Sequence, residues 1–148
     1  MEELAPLLAM QLGSGGTARL TVTGYSMMPM LRNHRDAVEL IAPREPLRKG
    51  DIALYKRENG SYVLHRIIDV REGTYICCGD NQAEQEPIRQ EQLLAVVTGF
   101  VRKGKYHGVQ EWRYRLYTAL WVYGFPFRRP YIIIRRWLGK QIRRKKYV

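Results

Sequence analysis

Few residues of this chain pair a nucleophile with a base, and the best placed are Ser26 and His65. Ser26 lies between Gly24 and Pro29, where a strand-like run has to change direction. Such a bend can expose the serine Oγ and its own backbone N–H together. A serine hydroxyl attacks a carbonyl only when a neighbouring base takes its proton and hydrogen-bond donors receive the oxyanion. In Val63-Leu64-His65-Arg66-Ile67, strand alternation puts the imidazole on the face shared with Val63 and Ile67. That apolar setting favours the neutral ring, which can accept the serine proton at physiological pH. The competing reading is a histidine that is simply packed in a strand. His34 and His107 fall in expected loops and read as solvated side chains. Cys77 and Cys78 are adjacent, so they would bridge each other only through a strained ring, and they read as small buried or half-buried thiols. With no CxxC pair and no paired-histidine spacing, neither a metal nor another cofactor is expected.

The elements that must position these residues follow from periodicity and punctuation. Glu2 to Leu12 predicts a short helix, ended by Gly13-Ser14-Gly15-Gly16. Strands are expected at Ala18 to Thr23, Ala37 to Ala42, Asp51 to Lys56, Tyr62 to Val70, Thr74 to Cys78 and Leu94 to Arg102. Pro29 cannot continue the first of these, so Gly24 to Leu31 reads as a sharp turn into a short helix with Ser26 at the bend. Asn59-Gly60, flanked by strand-like runs, is the strongest hairpin signal, because both residues accept positive φ. Short strands at this spacing imply a mostly β domain, built as a small barrel or coiled antiparallel sheets. From Glu111 the spacing becomes helical, with aromatics and arginines interleaved. Breaks at Gly124-Phe125-Pro126 and at Pro130 predict two short helices. The chain thus divides into a helix and linker (1–16), a catalytic body (17–105) and a basic aromatic helical extension (106–148).

Charge sharpens that division. The 148 residues carry a net +11, yet through Val101 the balance is −2 and from Arg102 onward it is +13. An excess confined to the last third points to an anionic partner for the extension rather than to a basic catalytic body. Arg128, Arg129, Arg135, Arg136, Arg143 and Arg144, set among Trp and Tyr residues, suit an interfacial segment on an anionic membrane. The alternative is that the aromatics pack on the body and the charges are solvated. Nucleic acid could meet the same charges, but the extension lacks a helix-turn-helix body, zinc ligands and a ribonucleoprotein aromatic motif. Met1-Glu2-Glu3 lacks the basic start of an export signal, and no run of about 20 apolar residues could span a bilayer. The expected location is therefore the cytoplasm or the cytoplasmic face of a membrane.

Four short boxes in order carry a family resemblance: Ser26-Met27-x-Pro29-x-Leu31, Gly50-Asp51-Ile52, His65-Arg66-Ile67 and Gly79-Asp80-Asn81. Together they resemble the type I signal peptidases, the S26 family of serine peptidases. Histidine in the third box is similar to the branch found in the endoplasmic reticulum, archaea and sporulating bacteria. The resemblance covers Ala18 to Lys105. It implies a coiled β-sheet fold, Ser26 as nucleophile, His65 as general base, and a peptide or protein precursor as substrate with small residues before the cleaved bond. In that branch an acid after Gly-Asp-Asn steadies the histidine. Here Asp80 or Glu86 would fill the role, with Glu86 one methylene longer than the usual aspartate. Gly24, Met27 and Pro29 complete the oxyanion and substrate side of the site, where Gly24 offers no hydroxyl as a second oxyanion donor. The chain departs from the family in having only Glu2 to Leu12 where a spanning anchor usually precedes the serine box. A self-cleaving repressor, which shares a similar fold, would carry lysine as base and an N-terminal DNA-binding domain, and neither is evident.

Overall fold

The structure, a computed structural model, describes residues 4–44 and 46–145. Glu2 and Glu3 of the expected first helix, and the side chains of Arg143 and Arg144, lie outside that description. Helix α1 (Leu4–Gly13) leads into eight strands: β1 (Ala18–Thr21), β2 (Ala37–Ile41), β3 (Ile52–Lys56), β4 (Tyr62–Arg71), β5 (Thr74–Cys78), β6 (Glu86–Ile88), β7 (Leu93–Arg102) and β8 (Lys105–Gly108). They form one open, wholly antiparallel sheet in the order β1-β2-β7-β3-β4-β5-β6, with β8 also paired to β7. Of the two architectures expected, the coiled sheet fits and the closed barrel does not.

Why the sheet coils is written in its centre. Ile52, Ala53, Leu54 and Tyr55 of β3 are all buried, so both faces of this strand are covered. Ile52 and Leu54 join a core with Leu8, Leu31, Leu40 and Phe100; Ala53 and Tyr55 join a second with Ile67, Tyr75, Cys77 and Ile88. A strand buried on both sides needs a layer over each face, and an antiparallel sheet provides that by folding over itself. Bulges between Glu39 and Leu40, Leu54 and Tyr55, and Ile67 and Asp69 supply the local bending.

Three expectations need correction. Gly24 to Leu31 forms consecutive turns and no helix. Pro29 supplies no N–H and disfavours helical backbone at Met28, leaving one helical bond, from Leu31 N–H to the Met27 carbonyl. His107 is in strand β8, opposite Phe100, rather than in a loop. Finally, Pro130 does not end the last helix: α2 (Trp112–Tyr123) is followed by α3 (Phe125–Lys145), which runs through it. Pro130 removes only the bond to the carbonyl of Pro126 in the first turns, and buried Phe125 and Ile132 on either side hold the helix to the body. Strand β8 completes a hairpin with β7, pairing Lys105 to Gly108 with Arg102 to Gly99.

Candidate active site

Ser26 is fixed from below by the loop after β5. Its carbonyl accepts the Asn81 N–H at 2.7 Å, and the Asn81 side-chain amide reaches the Tyr25 carbonyl at 3.2 Å. Gly79 makes this approach possible, since a Cβ there would lie 2.8 Å from the Ser26 carbonyl oxygen. Gly24 takes φ +88°, which a side chain would strain, and its N–H is given to Asn33 Oδ1 at 2.8 Å. Gly24 therefore shapes the turn and its N–H is already engaged. Met27 is buried in the first core and pins the turn, whereas Pro29 is exposed, after a cis Met28–Pro29 bond.

Ser26 and His65 line one cleft of about 520 Å³, walled by Leu20, Met27, Leu54, Tyr62 and Leu64. Two strand edges border it. β1 pairs only with β2, and β4 pairs with β5 only from Arg66 onward, so Tyr62 to His65 has no strand on that side among the described residues. Extended backbone groups thus face the cleft from both directions.

The imidazole is 2% exposed and lies opposite Ala53 across the β3–β4 pair, on the face of Tyr55 and Ile67. Its Nδ1 is 3.0 Å from Glu86 Oε1 and 3.0 Å from the Tyr55 hydroxyl, and that hydroxyl donates a short bond to the same Oε1. Arg57 grips Glu86 in a fork, Nε to Oε2 and Nη2 to Oε1, each at 2.7 Å. Burial pushes the Glu86 carboxyl up, but the hydrogen bonds from Arg57 and Tyr55 outweigh it and hold the group below the ordinary carboxylate value. An ionised Glu86 makes Nδ1 the protonated nitrogen. Nε2 then carries the lone pair. Burial lowers the His65 pKa below 6.5, and the nearby Glu86 charge opposes this only in part, so the ring is neutral at pH 7.

Asp80 is engaged elsewhere. It forms a fully buried bidentate pair with Arg66, Nε to Oδ1 at 2.8 Å and Nη2 to Oδ2 at 2.9 Å, and also accepts the Tyr117 hydroxyl. The carboxylate that His65 faces is that of Glu86. Arg66 is further saturated by the Gly50 carbonyl, Tyr114 and Thr118. From α2 and α3, Trp121 Nε1 and Arg128 both donate to the Asp80 carbonyl; Arg135 reaches Asn81 Oδ1 at 2.7 Å, and Arg136 pairs with Glu84. Three of the arginines assigned to an outside partner therefore turn towards the body, while Arg129 is exposed. Both cysteines are buried, and burial raises Cys77 to about 12 and Cys78 to about 11, which leaves them protonated and unreactive.

Tyr55 and Arg57 were not among the residues picked from sequence. The Asn59-Gly60 signal gave the hairpin but not its register: a two-residue turn with both φ positive would set Leu54 opposite His65. Gly60 alone takes positive φ, Arg57 bonds to Ser61 across a three-residue loop, and Ala53 falls opposite His65, which brings Tyr55 to the histidine's face. Arg57, just beyond the end of β3, carried no such signal. No protein-family model, curated protein or solved structure matches the chain.

Proposed function

We propose that the protein is a serine endopeptidase of the signal-peptidase type, in which Ser26 attacks, His65 is general base and Glu86 orients the histidine and stabilises the imidazolium formed when it takes the proton. The observation that carries this is the buried, neutral His65 with Nδ1 committed to an ionised Glu86, in the same cleft as Ser26. In the forward step Ser26 Oγ bonds to the scissile carbonyl carbon while Nε2 takes its proton. The resulting imidazolium is stabilised by Glu86, then protonates the leaving amine. Water then bonds to the acyl carbon as Nε2 takes one of its protons, and that proton passes to Ser26 Oγ as the ester bond breaks and the acid product leaves. The Ser26 N–H would serve the oxyanion; the Gly24 N–H, bonded to Asn33, would not. A peptide extended between the β1 edge and Tyr62 to His65 would gain main-chain bonds on both sides, which suits cleavage within a chain whose side chains vary. The apolar cleft walls favour a substrate with small or aliphatic residues beside the cut.

The deciding experiment is hydrolysis of an internally quenched peptide with alanine before the scissile bond, combined with labelling by a fluorophosphonate. Ser26→Ala should abolish labelling and lower kcat/KM by about 10⁴-fold or more with an unchanged melting temperature. Retained turnover in that variant would rule out Ser26 as the nucleophile.

A further inference from the structure

Helix α3 is amphipathic with its apolar side turned outward. Its body side carries Phe125, Arg128, Ile132, Arg135 and Arg136, each either buried or bonded to the loop after β5. At about 100° per residue, Phe127, Tyr131, Ile133, Ile134, Trp137 and Leu138 then fill a continuous sector of roughly 160° on the opposite side. All six are exposed, Phe127 at 83% and Trp137 at 58%. Helix α2 repeats the arrangement: Tyr114, Tyr117, Trp121 and Val122 face the body, while Trp112, Leu116, Leu120 and Tyr123 form an exposed stripe. Exposed apolar area on this scale marks a surface that something covers.

We infer that this surface rests on an anionic lipid bilayer, with α3 lying in the headgroup plane. The charge pattern selects that occupant. Between Trp112 and Lys140 there are seven Lys or Arg and no Asp or Glu, and Arg129 and Lys140 border the apolar sector. Two copies packed face to face would crowd these cations together, whereas anionic headgroups neutralise them. Nucleic acid would need the cations on the outward face, which is instead apolar. Aromatic rings ringed by basic side chains match the bilayer interface. Among the described residues no helix is long and apolar enough to cross a membrane, consistent with a helix that lies on the surface. The inference does not depend on the catalytic assignment.

The test uses the whole protein and vesicles of equimolar phosphatidylglycerol and phosphatidylcholine, against phosphatidylcholine alone and duplex DNA at matched salt. The protein should sediment with the anionic vesicles and shift its tryptophan emission to the blue, an effect reduced in Trp137→Phe and largely lost when Trp112→Phe is added, since these are the two exposed tryptophans of the surface. Raising salt from about 0.1 to about 1 M, which shortens the screening length from ~10 to ~3 Å, should weaken binding. The double variant Phe127→Ser with Ile134→Ser should bind at least about 10-fold more weakly at an unchanged melting temperature, because both side chains are exposed in the free protein. Equal vesicle binding by that variant would overturn the proposal. So would preference for DNA over vesicles, or a lipid-free dimer that the same variant dissociates. Fluorophosphonate labelling of the double variant in solution should match the unaltered protein, which separates failure of this inference from failure of the catalytic one.

Discussion

Replacing Glu86 by glutamine removes one charge and almost no volume, so its effect isolates what the carboxylate does for His65. At 3.0 Å and an effective dielectric of about 20, a carboxylate attracts an imidazolium by about 5 kcal/mol. The Arg57 guanidinium, 2.7 Å from the same Oε1, repels the imidazolium. If about half the attraction survives, the transition state loses about 2–3 kcal/mol, or roughly 30- to 150-fold in rate. A second effect adds to this. The amide must turn its NH2 towards either Arg57 or His65. Keeping its oxygen on Arg57 aims the NH2 at Nδ1, which drives the ring proton to Nε2 and removes the base; a wrong tautomer of this kind costs up to about 10⁴ in a triad. We therefore expect kcat/KM on the quenched peptide, and the rate of fluorophosphonate labelling, to fall by about 10²- to 10⁴-fold. The variant's melting temperature provides the control for folding. Because Glu86 raises the His65 pKa, any residual activity should titrate at lower pH than in the unaltered protein. A folded Glu86→Gln variant within about 3-fold of the original, with His65→Ala inactive, would refute the role given to Glu86.

Three further outcomes are expected. The burial-lowered pKa of His65 means kcat/KM should rise with pH through a midpoint below 6.5; a midpoint near that of lysine would move the base to Lys56. The same shift makes the native state bind fewer protons than the unfolded chain in acid, so denaturant stability should fall as pH drops below about 6.5, and less so in His65→Gln. Asp80→Asn leaves Arg66 charged and buried without its partner, so urea unfolding should show a loss of about 3–5 kcal/mol. Gly79→Ala would press a methyl group against the Ser26 carbonyl and Gln82, displacing the nucleophile; kcat/KM should drop by about 10²-fold while the unfolding midpoint moves much less.

The long strands were legible because each satisfies a local rule. Thr74 to Cys78 has the expected bounds, and Asn59-Gly60 marks the β3–β4 turn. Strands β6 and β8 were missed: Glu86-Pro87-Ile88 and Lys105-Tyr106-His107-Gly108 are too short and polar to show alternation, and they exist because β5 and β7 offer them edges. The neighbourhood of Ser26 and His65 is likewise tertiary, set by where β1 and β4 border the cleft. Arg66 and Asp80 illustrate the harder problem. A charged residue in a strand normally reads as solvated, and this pair is buried only because Tyr114, Tyr117 and Thr118 arrive from α2 to satisfy it. Sequence spacing showed helical segments with aromatics and arginines interleaved; which side of α3 turns inward was decided by Arg128, Arg135 and Arg136 bonding to a loop some 50 positions earlier.

That clasp sets an order of events during synthesis. The segment from Asp80 to Glu84, which holds the Ser26 carbonyl through Asn81, is made long before the residues that grip it from outside. At about 5–20 residues per second, some seconds separate the emergence of Asp80 from that of Arg136. Throughout that interval Arg66 and Asp80 have only each other and the half-built sheet, and the nucleophile's support is incomplete. If Ser26 and His65 act as proposed, a site completed only by α2 and α3 is a weak one while the chain is nascent, when its own unfolded segments and those of neighbouring chains are the nearest peptides to cut.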